Sequence, residues 1–193
     1  KAEAFVRHFP SAWLRLDKLG DMPPSGGDYQ FYKNLKVEPL LAKQVTTYFA
    51  EILKTNGRIE QFIDSDYTYM NQTLAKWIYR REGIRGERLR KVKLNDPRRG
   101  GIFTQPGLMT ATANGVDTSP VIRGVWVLEN ILGTPPSPPP PDVEPLPTDT
   151  REATTIREQL ALHRKNEACY SCHVKIDPMG FAFENFDVVG RWR

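Results

Sequence analysis

A proline-rich stretch in the second half of the chain most constrains what it can fold into. Residues 133–150 read GTPPSPPPPDVEPLPTDT and hold eight of the 16 prolines. Proline fixes φ and has no amide hydrogen to donate, so this stretch is predicted to be extended. We interpret it as a stiff tether or surface strap rather than a ligand for an SH3-type domain. It divides the chain into a helical body (1–133), a linker (134–149) and a C-terminal segment (150–193).

Apolar spacing and capping residues predict two helices in the body. In EPLLAKQVTTYFAEILKT, one helical stripe is formed by Leu41, Val45, Phe49, Ile52 and Leu53. Asn71 can cap a second helix that carries an apolar set of its own. That set is Leu74, Trp77 and Ile78.

Two further helices flank the proline-rich stretch. In TSPVIRGVWVLENILG, Ser119 is a cap, Pro120 takes the first helical position and Gly133 is a stop. One face of this helix is predicted to hold Val121, Val125, Leu128 and Leu132. Thr155 and Glu158 form a capping box for a helix that runs through Ile156, Leu160 and His163 toward Cys169. No segment alternates with period two over the length of a strand. We therefore predict a mainly α fold with long irregular connections.

The segment EACYSCHVKIDPMGF contains both cysteines of the chain, Cys169 and Cys172, followed at once by His173. C-x-x-C-H is the attachment signature of haem c. Each thiol adds to one vinyl group of the porphyrin, and two intervening residues span the distance between the vinyls. The following histidine then lies beneath the ring and faces the iron. The pattern predicts one covalent haem.

Two other interpretations of the cysteines are weaker. A thioredoxin-like pair follows a strand at a helix start, whereas a helix precedes this motif. A zinc site needs four ligands, usually from two separated pairs. Only His163 and His8 remain as further donors, and adjacent Cys172 and His173 would have to bind together.

The second axial position of the iron has three candidates. Met179 lies only six residues after His173, in a turn predicted around Asp177, Pro178 and Gly180, and packing against the haem is the simpler role. Met109 and His163 are the other candidates, each with a buried structural role as the alternative. For the other ring nitrogen of His173, we expect the backbone carbonyls around Pro178 to accept its hydrogen bond.

Several stretches of the chain resemble the C-terminal half of planctomycete-type cytochrome-like multidomain proteins. These are FIDSDYTYMNQTLAKWIY, the stretch from RRGGIFTQPGLM to the proline run, and REQLALHRKNEACYSCHVKIDPMGFAFENFDVVGRWR. The resemblance implies a haem on Cys169, Cys172 and His173. It also implies packing roles for Asp177, Pro178, Gly180, Phe181 and Phe186. Pro178 and Phe181 are accordingly expected to contact the haem.

Charge and hydropathy restrict the partners. The net charge is +4, and a basic cluster of nine residues lies between positions 80 and 99. Without interleaved aromatic residues, this cluster indicates a solvated surface rather than a nucleic-acid site. No apolar run is long enough to predict a transmembrane segment. The chain begins at Lys1 without a signal region, and we expect an excerpt of a longer protein.

Together these features predict a c-type cytochrome domain or subunit. It would transfer single electrons to a redox partner protein or to further domains of a larger chain. Because haem c is attached outside the cytoplasmic membrane, we expect an exported, periplasmic or extracellular location. A haem enzyme with an open sixth position, either peroxidase-like or oxygen-using, is one alternative. A structural haem segment in a larger surface assembly is the other.

Overall fold

The computed structural model describes residues 1–138, 155–165 and 167–193. Most of the predicted linker, residues 139–149, lies outside these described residues. The described part contains the helices α1 (Ala2–Trp13), α2 (Gln30–Asn34), α3 (Val37–Lys54), α4 (Gln72–Trp77), α5 (Pro106–Ala111), α6 (Pro120–Asn130), α7 (Ile156–His163) and α8 (Glu167–Phe181). About 51% of the described residues are helical and 7% are in strands, which confirms the mainly α class.

One small antiparallel sheet corrects the prediction that the chain has no strands. It pairs β1 (Tyr67–Met70) with β2 (Arg90–Lys93). Each strand has only four residues, and β2 exposes most of its side chains, so neither strand shows a usable alternation of apolar and polar residues.

The chain forms two compact units. Unit 1 comprises residues 1–119 and 183–193, and unit 2 comprises residues 120–182. Helix α6, which we assigned to the body from the sequence, thus belongs to the same compact unit as the C-x-x-C-H segment. The domain boundaries proposed at residues 133 and 150 stay a prediction.

Helix α3 is the centre of unit 1. Its buried face follows the predicted stripe at Leu41, Val45, Phe49 and Ile52, whereas Leu53 is exposed. The main core cluster consists of Phe31, Tyr32, Val37, Leu41, Met70, Leu74, Ala75, Ile78, Leu94, Ala113, Val188 and Val189. The last two residues come from the C-terminal segment, which therefore completes the core of unit 1.

Capping residues fix two helix starts as predicted. The Asn71 side chain accepts a hydrogen bond from the Leu74 amide at 3.0 Å and opens α4. Thr155 and Glu158 form a capping box at the start of α7. These caps satisfy amide groups that would otherwise have no partner in the first turn.

Arg99 holds the C-terminal segment against the rest of unit 1. Its guanidinium is buried, lies 4.7 Å from the centre of the Tyr79 ring and 5.0 Å from that of Phe186, and donates to the Gly190 carbonyl at 2.7 Å. Burial lowers the pKa of Arg99, because the charged form is poorly solvated there. This member of the predicted basic cluster is therefore structural, whereas Lys91 and Arg98 form surface ion pairs.

Unit 2 is built around the contact between α6 and α8. The buried residues of α6 are Pro120, Arg123, Gly124, Trp126 and Leu128. Of the predicted face, only Leu128 is buried, and Leu132 is exposed. The buried face differs from the predicted one because Gly124, rather than the branched side chains, lies where α8 comes close to α6. The helix ends at Asn130, three residues before the predicted stop at Gly133, whose φ of +62° is in the left-handed region.

Among the described residues, no helix is both long enough and apolar enough to cross a bilayer.

Candidate haem-binding site

Helix α8 contains the whole C-x-x-C-H motif and extends through Phe181. We predicted a turn at Asp177, Pro178 and Gly180, and that prediction was wrong. Pro178 lies inside the helix, where proline removes the hydrogen bond to the carbonyl four residues earlier and its ring crowds that carbonyl, yet α8 continues to Phe181. The helix then ends in a further bond, from the Ala182 amide to the Pro178 carbonyl at 3.3 Å.

The helical geometry brings the three motif side chains to one side of α8. Residues at positions i, i+3 and i+4 fall within an arc of about 100° around a helix axis. Cys169 is buried, Cys172 is partly buried, and both are free thiols. His173 is also partly buried, with 13% of its side chain exposed. The two sulfur atoms and the imidazole are therefore available on the same side of one rigid element.

His173 is held by a carboxylate, not by a backbone carbonyl as we expected. Its Nδ1 atom lies 2.8 Å from Oδ1 of Asp177, one helical turn later. A carboxylate only accepts hydrogen bonds, so Nδ1 is the donor and carries the proton. In metal sites, an imidazole held through Nδ1 in this way binds the metal through Nε2.

Asp177 is fully buried and also lies next to a charged side chain. Nε of Arg164, just after α7, lies 3.5 Å from its Oδ2 atom. A buried carboxylate is costly unless it is paired, and here each oxygen faces a nitrogen of a different side chain. The family resemblance implied a packing role for Asp177. The spacing of four residues between His173 and Asp177 was the signal that could have shown the pair.

Phe181 and Pro178, the two other predicted haem contacts, lie at the end of α8. Phe181 is partly buried, and the Arg157 guanidinium of α7 stacks over its ring at 4.1 Å. Pro178 is exposed. Gly180 does have the packing role that the resemblance implied, because it lies directly against the backbone of Pro120.

The candidates for the second axial position are spread over the chain. Met179 lies on α8 itself, is 37% exposed and is turned about 240° around the helix axis from His173. One continuous helix cannot place two ligands on opposite sides of the same iron, so this position argues against Met179. Met109 is buried in α5 of unit 1. His163 is the last residue of α7, and its side chain lies outside the described residues.

The donor set fits a covalent haem. It offers two thiols three residues apart, the adjacent imidazole, and a carboxylate that holds the imidazole through Nδ1. Within the described part of the chain, no three side chains of His, Cys, Asp or Glu are grouped so that they could hold a metal ion together. A haem does not need such a group, because the porphyrin supplies four of the iron ligands.

Two protein-family models match the chain, and together they cover most of it. Residues 99–193 match PSCyt3, a protein of unknown function (DUF1588). Residues 1–79 match PSD4, a protein of unknown function (DUF1592). Both are planctomycete cytochrome-like families. The PSCyt3 match includes the whole C-x-x-C-H motif, and the PSD4 match covers α1 to α4. No curated protein and no solved structure matches the chain.

Proposed function

We propose that the chain is a c-type cytochrome domain that binds one haem covalently and transfers single electrons to a redox partner. The observation that supports it most is the arrangement on α8, where Cys169, Cys172 and His173 share one side of the helix. The PSCyt3 match over the same residues adds support. When bound, the haem supplies a ferric–ferrous couple that exchanges one electron at a time.

The residues of unit 2 have distinct roles in this proposal. Cys169 and Cys172 anchor the porphyrin through thioether bonds, and Nε2 of His173 binds the iron. Asp177 fixes the ring orientation of His173 through Nδ1. Phe181, with Arg157 stacked over it, is proposed to cover part of the porphyrin edge. Because the attachment takes place outside the cytoplasmic membrane, we also propose that the domain is exported.

An enzyme with an open sixth position is the second candidate. The position of Met179 on the same helix as His173 favours it, because this methionine is poorly placed to close the far side of the iron. Met109 and His163 remain the candidates for a closed site.

Carbon monoxide separates these two functions. We expect the ferrous protein to show no immediate Soret shift if a protein side chain closes the site, as electron transfer requires. Spectra of Met109→Ala and His163→Ala would then identify the ligand. An immediate shift, followed by peroxide-dependent oxidation of a dye, would instead support the enzyme and contradict simple electron transfer.

A further inference from the structure

The pair of His173 and Asp177 has a geometry that does more than fill space. The carboxylate is completely buried, the Nδ1–Oδ1 distance is 2.8 Å, and both residues lie on the same side of α8. Few groups can compensate a buried negative charge, and the described ion pairs of Asp177 are those with His173 and Arg164. The hydrogen bond to the imidazole is therefore one of two described contacts that stabilise the charge of Asp177.

We propose that Asp177 is a positioning residue that lowers the reduction potential of the haem through His173, and this inference rests on the proposed function. By holding the Nδ1 proton, the carboxylate fixes the ring so that Nε2 faces the iron, and it makes the imidazole a more basic ligand. A more basic ligand with a negative charge behind it favours ferric iron, which has one more positive charge than ferrous iron.

Arg164 limits this effect. Its Nε atom lies 3.5 Å from Oδ2, so it withdraws part of the negative charge that would otherwise act on His173. Arg164 is 30% exposed, whereas Asp177 is not exposed at all. Replacing the arginine therefore removes a positive charge beside the carboxylate, and because the arginine is partly exposed, the core should be little disturbed.

Arg157 of α7 and Arg164, which directly follows α7, both contact the second half of α8. Arg157, Leu160 and Arg164 are three and four residues apart, so they share one face of the helix. Arg157 stacks on Phe181, Leu160 is fully buried, and Arg164 reaches Asp177. Helix α7 thus fixes the end of α8 at two points, both of which lie after the motif.

The test is the midpoint potential of the haem-loaded protein, measured with small mediators, in three variants. Asp177→Asn should raise the midpoint potential by at least 59 mV, which is a tenfold change in the reduction equilibrium for one electron. Arg164→Gln should lower the potential. Asp187→Asn is the matched control, because Asp187 is also a buried carboxylate but accepts from the Val189 and Arg191 amides rather than from a residue of the C-x-x-C-H motif. It should leave the potential unchanged.

A second readout addresses a purely structural role for Asp177. The iron–histidine stretching frequency of five-coordinate ferrous haem, obtained where the site is closed by substituting the distal side chain that the carbon monoxide test identifies, should fall in Asp177→Asn and rise in Arg164→Gln when measured by resonance Raman spectroscopy. If Asp177→Asn does not fold, Arg164→Gln carries the test alone. Haem attached to the variants with an unchanged potential and frequency would overturn the inference and leave the proposed function intact. A wild-type chain without haem would overturn the proposed function itself.

Discussion

Gly180 of α8 lies directly against the carbonyl oxygen of Pro120 in α6, and Gly124 of α6 lies in the same way against the carbonyl of Ile176. Each glycine is therefore placed where the opposite helix has backbone, and a Cβ atom at either position would overlap that backbone. The two contacts run in opposite order along the chain, so the helices pack antiparallel. Close approach of two backbones fixes the position of α8, the helix with the haem motif.

Substituting Gly180 with alanine is predicted to destabilise unit 2. Alanine in a helix is normally better than glycine by about 1 kcal/mol, but overlap with a backbone carbonyl costs about 1–3 kcal/mol or more. The overlap should therefore dominate. Urea unfolding followed by circular dichroism measures the change. Gly27→Ala is the control, because nothing lies within 4 Å of a Cβ there. Equal stability of the two variants would contradict the packing described here.

Arg99→Lys is predicted to loosen the C-terminal segment of unit 1. Lysine cannot stack on the Tyr79 and Phe186 rings as a planar group, and it would leave a buried charge with poorer hydrogen bonding. We expect a loss of about 2–3 kcal/mol in the free energy of unfolding. Arg58→Lys is the control, because Arg58 forms its ion pair with Glu60 on the surface. Its loss should be much smaller than that of Arg99→Lys, and a similar loss for both variants would count against the role of Arg99.

The Asn71 cap should be replaceable by serine but not by alanine. Asn71→Ala removes the acceptor for the Leu74 amide and the donor to the Glu87 carbonyl, and it should cost about 1–2 kcal/mol. Asn71→Ser keeps an acceptor for the amide and should lose less. The midpoints of urea unfolding compare the two variants. If serine and alanine are equally destabilising, the cap is not what makes Asn71 important.

Stability should decline at alkaline pH, in part through Tyr69. Burial, aided by a hydrogen bond to Glu51, raises the pKa of Tyr69 from 10.0 to about 12. The neutral phenol is favoured by the folded state, so its contribution is complete below the unfolded pKa and is lost as the pH rises through the folded pKa. Tyr69→Phe cannot ionise, and its loss of stability between about pH 9 and pH 12 should be smaller by about 1–2 kcal/mol. Parallel curves for both proteins would rule out this contribution.

Sequence reasoning succeeded where the determining contacts are local. The caps at Asn71 and Thr155 each depend on an amide only three residues later. The sheet depends instead on a partner about 20 residues away along the chain, and neither four-residue strand predicts it alone. The continuation of α8 past Asp177 was missed because proline removes a hydrogen bond within a helix and crowds the preceding turn, yet α8 runs on through Pro178 to Phe181.

The partner of His173 was missed for the same reason. With a turn at Asp177, the carboxylate has no fixed position relative to the imidazole, and a backbone carbonyl is the natural acceptor. Once α8 is continuous, Asp177 follows His173 by one helical turn and the pair is expected. The sequence also does not show that Arg164, which lies just after α7, is close to Asp177. The continuity of α8 is therefore what brings His173 and Asp177 together.

The intact mass of the denatured protein, expressed in a host that attaches haem c, tests the central proposal most directly. We predict that the wild-type chain keeps one haem after denaturation and that its pyridine haemochrome spectrum is that of two thioether bonds. Cys169→Ser and Cys172→Ser should each leave at most one such bond, and the double variant should release all haem. A wild-type mass equal to that of the bare chain, with no absorbance from haem, would contradict the account.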